Sequence, residues 1–265
     1  MATDGTGTSL VELWRSGGVA QGAWLFVPSA VSAEAVAHAG FDYVCIDAQH
    51  GAIDYGDCRT MIQAILLGGS RPIVRVPWNE PGIIGKVLDA GAHGVIVPMV
   101  NSVDEARAVV RACRYAPDGS RSYGPSVIAP RHDDYVEWAR EHVAVIPMIE
   151  TTEALAYLDE ILAVDGIDAV YVGPADLSLT LGLPPTNNDD DERFVGALES
   201  VVAACQDAGV VPGIHASGAL AASRRRTGFR MITVATDVPA LRRGLAAELA
   251  AAEHDGGPDG GGSVY

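Results

Sequence analysis

The stretch FDYVCIDAQHG, residues 41–51, decides how the chain is read. Its run Tyr43-Val44-Cys45-Ile46 has no polar alternation, so it reads as a strand buried on both faces, the kind found in parallel sheets. It ends at once in Asp47 and, three residues later, His50. Alone, the pair has an ordinary explanation: Asp47 would cap the next helix and His50 would be a loop histidine. The rest of the chain decides between that reading and a chemical one.

Working outward, similar apolar runs recur at 23–27, 72–76, 94–98, 143–149, 169–173, 210–214 and 231–234, making eight strands with 43–47. Between them, segments such as 32–39, 55–67 and 103–113 carry helical apolar spacing. Eight strand–helix repeats predict a single-domain (β/α)8 TIM barrel, an α/β fold. A doubly wound sheet is the alternative, but no GxGxxG follows the first strand and no linker divides the chain. The barrel is expected over 9–254, between a flexible 1–8 and a Gly-rich flexible tail at 255–265. The segment 115–130, rich in Gly, Ser, Pro and Arg, reads as an active-site cover.

Bulk properties narrow the partners. The 265 residues are 48% apolar and carry 34 acidic against 18 basic side chains, a formal charge of -16. Such a field repels nucleic-acid phosphates and anionic lipid surfaces, so neither nucleic acid nor membrane is an expected partner. Cys45, Cys58, Cys113 and Cys205 are scattered without a CxxC pair and read as buried free thiols. With no signal-peptide pattern at the N-terminus and no apolar run of about 20 residues, a soluble cytoplasmic protein is expected.

In a TIM barrel the reactive groups sit at the C-terminal ends of strands. There the sequence supplies Asp47 and His50 after strand two, Arg75 in IVRVPWNEP, Glu150 in PMIET and Asp176 in GPADLS. Glu150 and Asp176 are hard oxygen donors suited to Mg²⁺ or Mn²⁺, which take one or two carboxylates and leave positions for water and substrate. Alternatively, Glu150 opens the helix in TTEALAYLDEIL and Asp176 caps a turn. The run 189–192 reads as a helix start with favourable dipole charges, and His215 as a loop residue, so neither receives a role.

The motifs IDAQHG, RVPWNEP, LDAGAHGVIVPMV, YAPDGSRSYGP, PMIET and GPADLS, in order from Trp24 to about Val234, resemble the HpcH/HpaI-type family of class II, metal-dependent pyruvate aldolases. The resemblance implies that Glu150 and Asp176 bind a divalent cation, Mg²⁺, Mn²⁺ or Co²⁺. That cation would chelate the carboxylate and 2-oxo oxygens of pyruvate. The turn Gly173-Pro174-Ala175-Asp176 would hold the carboxylate through the backbone N–H groups of Ala175 and Asp176. It further implies that Arg75 faces the 2-oxo oxygen, that His50 moves the proton on the 4-hydroxyl with support from Asp89, and that Asp47 joins their cluster. The chain departs from the common pattern at Gln49, where Glu is frequent, and at Ser122, where Gly is frequent. Family members form hexamers built as trimers of dimers, so a homo-oligomer is expected, and Asp89 lies off the apolar face of its helix, where it would meet a neighbouring subunit.

The expected reaction is reversible cleavage of a 4-hydroxy-2-oxo acid to pyruvate and an aldehyde. Related enolate chemistry, such as acyl-CoA lysis or oxaloacetate decarboxylation, and a catalytically decayed binding protein are the alternatives. A Schiff-base route is narrowly constrained, because Lys86 is the only lysine and falls on the polar side of its helix rather than at a strand end.

Overall fold

Eight short strands pair in chain order, all parallel, into a closed barrel in the computed structural model, which describes residues 7–253. They are β1 (Ala20–Leu25), β2 (Tyr43–Asp47), β3 (Arg71–Arg75), β4 (Gly94–Val97), β5 (Ala144–Ile149), β6 (Ala169–Val172), β7 (Val211–His215) and β8 (Met231–Thr236). The anticipated tail at 255–265 and most of the anticipated 1–8 arm lie outside the described residues. Strands β2, β4, β5 and β6 are buried along their whole length, as parallel strands are when helices cover one face and side chains fill the other.

The first half carries helices α1 (Leu10–Arg15), α2 (Ala30–Ala37), α3 (Tyr55–Leu67), α4 (Pro81–Asp89), α5 (Val103–Cys113) and α6 (Tyr135–His142). The second carries α7 (Thr152–Ala156), α8 (Leu158–Leu162), α9 (Pro174–Thr180), α10 (Glu192–Ala208), α11 (Gly218–Thr227) and α12 (Asp237–Glu253). Caps set several starts. Asp54 and Asp57 form a reciprocal capping box at α3, so the capping role open to Asp47 belongs to Asp54. Asp191 caps α10, as the acidic run suggested. The single helix read in TTEALAYLDEIL breaks at Tyr157, whose φ of -113° and ψ of 21° leave the helical region.

Strand β1 begins at Ala20 rather than at residue 23, because Ala20 and Gln21 pair with Met231 and Ile232 of β8. Gly22 is required there: a Cβ would fall 2.1 Å from the ring of Tyr43. The strand ends at Leu25, since the N–H groups of Phe26 and Val27 leave the ladder and donate to the Asp237 carboxylate.

The core has two shells. Inside the barrel lie Trp24, Tyr43, Cys45, Ile73, Ile146, Met148, Tyr171 and Met231, and α1 closes one end with Leu10, Val11 and Trp14. Tyr43 and Tyr171 share the hydroxyl of Thr233, at 2.9 and 2.6 Å, so their buried phenols are satisfied. A larger apolar shell joins the outer strand faces to the helices. The 115–130 segment is not a free flap: Ile128 is buried, Ser120 donates to the Arg111 carbonyl, and Arg121 is tied to Asp89 of α4 and Tyr135 of α6. Among the described residues, no helix is long and apolar enough to cross a membrane.

Candidate active site

Alternation by two along a strand carries side chains from the filled interior up to the barrel mouth. Cys45 is followed inward by Asp47, Ile73 by Arg75, Met148 by Glu150, and Val211 by Gly213 and then His215. Asp47, Arg75 and Glu150 are buried polar residues at this level.

Asp47 is the knot of the β1–β3 side. Its Oδ1 accepts from Arg75 Nε at 2.9 Å and from the backbone N–H groups of Gln49 and His50 at 3.0 and 3.1 Å. Its Oδ2 accepts from Arg75 Nη2 at 2.5 Å and from Trp24 Nε1 at 3.0 Å. Burial alone would raise the Asp47 pKa, but hydrogen bonding and charge from Arg75, with Trp24 and His50 adding, bring it below the usual carboxylate range. The bidentate pair fixes the guanidinium plane, whose Cζ sits 5.0 Å from the centre of the Trp24 ring.

The β5–β6 side is built differently. Glu150 is 2% exposed, and its one described hydrogen bond is from the Met99 N–H to Oε1 at 2.8 Å. Burial raises its pKa to about 7, opposed by the Met99 N–H, reinforced by the charge of Asp176 and opposed again by that of Arg75. Met99 has a φ of 55°, the one described non-glycine residue in the left-handed region, a conformation that costs roughly 1–3 kcal/mol. Gly173 lets the carboxylate lie against the chain, since a Cβ there would stand 2.4 Å from Glu150 Oε2.

Asp176 is half-buried in the first turn of α9, which follows the Gly173-Pro174 step with no side-chain cap. Pro174 has no N–H to offer, and the N–H groups of Ala175 and Asp176 fall among the four that a helix start leaves without an intrahelical acceptor.

Other sequence-derived candidates divide. The His50 backbone is anchored on Asp47, and the residue is exposed. Asp89 is paired with Arg121 at 2.6 Å, and among the described residues no ion pair joins it to His50. Lys86 is exposed on α4, its Nζ 5.3 Å from the centre of the Tyr55 ring on α3, outside the barrel. Two residues of the mouth went unassigned from sequence. Trp24 joins Asp47, Arg75 and Tyr171, and His215 ends β7 with its ring 5.1 Å from that of Trp24 at 86°. Alternation along β7 puts His215 on the inward side with Val211 and Gly213, but its contact with Trp24 exists only once the barrel closes.

Residues 21–243, nearly the whole barrel including every one of these side chains, match the family model described as HpcH/HpaI aldolase/citrate lyase. The chain belongs to this family. Within it, the chain is 44% identical over 230 residues to a protein named hydroxypyruvate/pyruvate aldolase from Rhizorhabdus wittichii, covering 86% of this chain and 92% of the relative. It is 38% identical over 247 residues to a 4-hydroxy-2-oxo-heptane-1,7-dioate aldolase from Salmonella dublin, covering 90% and 93%. A crystal structure of a family protein from Burkholderia cenocepacia superposes with a TM-score of 0.86 at 34% identity, covering 92% of this chain and 99% of that one. Family membership thus accounts for the whole barrel and not for one motif.

Proposed function

We propose that this chain is a carbon–carbon lyase that reversibly cleaves a 4-hydroxy-2-oxo acid to pyruvate and an aldehyde. The observation that carries the reading is the pairing, at one barrel mouth, of a fixed guanidinium with an under-satisfied buried carboxylate, in a chain that belongs to an aldolase family. In the cleavage direction the C3–C4 bond breaks and its electron pair becomes the C2–C3 double bond of an enolate, while the C4 hydroxyl loses its proton and becomes the aldehyde carbonyl. Arg75, held by Asp47, stabilises the negative oxygen on C2, and His50 takes the hydroxyl proton. Protonation of C3 then yields pyruvate. The N–H groups of Ala175 and Asp176, with the Gly173-Pro174 turn, receive the substrate carboxylate.

Glu150 and Asp176 fit a divalent cation such as Mg²⁺ or Mn²⁺. Their donors are all oxygen, Glu150 lacks a full complement of hydrogen bonds, and two carboxylates suit an ion that keeps water and substrate in its remaining positions. Such a cation, when bound, supplies positive charge to the substrate's carboxylate and 2-oxo oxygens. Lys86, exposed on α4, is poorly placed for a Schiff base.

A homo-oligomer is supported by α12, which has no buried residue and exposes Leu241, Leu245 and Leu249 at 59%, 62% and 65%, and a trimer of dimers is the arrangement that the family resemblance implies. Asp89 would act across such a contact. The four buried free thiols suit the cytoplasm. The test of the reaction is pyruvate release from a set of 4-hydroxy-2-oxo acids, alongside oxaloacetate and an acyl-CoA. Pyruvate released with an equimolar aldehyde, lost on chelation and restored by Mg²⁺ or Mn²⁺, is expected. Turnover of only oxaloacetate or the thioester would replace the reading.

A further inference from the structure

Strands β4 and β5 are neighbours in the barrel, and the turn that follows β4 is fastened to the end of β5. Val97, the last residue of β4, pairs with Pro147 of β5, and the chain then runs through Pro98, Met99 and Val100 to Asn101. Two hydrogen bonds tie this turn down. The Met99 N–H donates to Glu150 Oε1 at 2.8 Å, and Thr151 Oγ1 donates to Asn101 Oδ1 at 2.5 Å. The second bond is itself braced, since Thr151 Oγ1 accepts from the Ala154 N–H at 2.9 Å and the Asn101 N–H donates to Glu105 Oε2 at 2.7 Å. Val100, between the two anchored residues, is fully buried.

Held at both ends, the turn contains one unusual torsion. Met99 has a φ of 55°, whereas the nine other described residues with positive φ are all glycine. A Cβ makes this region unfavourable, and methionine lacks the short polar side chain with which asparagine offsets part of the cost. Such a conformation persists where its surroundings impose it. Pro98 has its own φ fixed by its ring, so the φ of Met99 sets the angle between the peptide that carries its N–H and the anchored chain beyond. With an ordinary negative φ, that N–H would swing away from Glu150. The two oxygens of Glu150 are accordingly treated differently. Oε1 is engaged by Met99, and Oε2 lies over Gly173, where a Cβ would stand 2.4 Å from it, at the step into α9 and Asp176.

We infer that Met99 is a positioning residue for the cation site: its left-handed backbone aims the N–H at Glu150 Oε1 and so keeps Oε2 turned towards a divalent ion shared with Asp176. The inference rests on the reading above that Glu150 and Asp176 hold such an ion. It adds to that reading a device in the β4 turn that orients one ligand before the ion arrives. Groups that orient a metal ligand from behind typically change the affinity by about 10–100-fold.

The experiment titrates Mn²⁺ calorimetrically into metal-stripped wild type, Met99→Gly and Met99→Asn, each checked for a cooperative urea transition. Both variants delete the methionine side chain, so lost packing is common to them. Asn tolerates the left-handed region and keeps a Cβ that limits the backbone, whereas Gly frees φ over both signs. Mn²⁺ affinity should fall by about tenfold in Met99→Gly and stay within about threefold of wild type in Met99→Asn. Equal affinity in wild type and Met99→Gly, or a loss in Met99→Asn as large as in Met99→Gly, overturns the role of the Met99 backbone while the cation reading stands. Failure of either variant to fold does the same, because both residues accept this φ more readily than Met. A wild type that binds no Mn²⁺ overturns the cation reading, and this inference with it.

Discussion

Asp47 and Glu150 stand at the ends of β2 and β5, both are carboxylates, and both are almost fully buried. Asp47 accepts five hydrogen bonds, two of them from Arg75, and its pKa is pulled below the ordinary range despite burial. Glu150 accepts one described hydrogen bond, from a strained Met99, and burial lifts it to about 7. The same functional group thus does opposite work on the two sides of one mouth. On the β1–β3 side its charge is fully used to hold a cation-bearing side chain in place. On the β5–β6 side it is left under-compensated, the condition in which a carboxylate gains most from an arriving cation.

The largest effect that would break this contrast lies with Glu150. Glu150→Gln keeps the shape and the Met99 bond but removes the charge, and aldol turnover should fall by roughly four orders of magnitude, the several kcal/mol that a cation held there would supply as positive charge. Activity within tenfold of wild type would deny Glu150 its role. Next, Arg75→Lys should lose about a hundredfold in kcat, because an ammonium cannot keep two parallel bonds to Asp47 and still face the substrate oxygen. Near-normal kcat/KM in that variant would make Arg75 structural only.

Asp47→Asn probes the satisfied side through stability. Breaking one partner out of a buried ion pair costs about 3–5 kcal/mol at neutral pH, measurable by urea unfolding. The sign of the pH dependence follows from the lowered folded pKa. The stabilisation is complete above the unfolded carboxylate value, about 3.9, and is lost as pH falls through the lower folded value. The gap between wild type and Asp47→Asn should therefore be full at pH 7 and narrower near pH 3. A gap that widens in acid would contradict the pairing. The smallest effect belongs to Lys86→Met, where kcat should be unchanged and borohydride with pyruvate should trap no adduct. A trapped adduct on Lys86 would replace the metal route by a Schiff base.

The barrel was legible because every strand contains a short apolar run, with polar groups such as Asp47 and Glu150 following abruptly on some of them, and both the number and order of strands follow from that pattern. The start of β1 was not, since Ala20-Gln21-Gly22 has no strand-like pattern of its own and is held by pairing with β8. Asp47, Arg75, Glu150 and Asp176 were legible as polar residues at strand ends. Trp24 and His215 were not, because their meaning comes from a contact between the first and seventh strands, distant in sequence and adjacent only once the barrel closes. Asp89 illustrates the same limit. Helical spacing set it off the apolar face, but only the fold reveals Arg121 as its partner, from a segment read as a cover and found packed on α4, α5 and α6.

The contrast between the two carboxylates is tested most directly by titrating Mn²⁺ into metal-stripped wild type, Glu150→Gln and Asp47→Asn, with binding followed calorimetrically. The account expects a single Mn²⁺ per chain in wild type, an affinity weakened by roughly a hundredfold or more in Glu150→Gln, and near wild-type affinity in folded Asp47→Asn. Undiminished binding in Glu150→Gln, or a loss in Asp47→Asn as large as in Glu150→Gln, would contradict it.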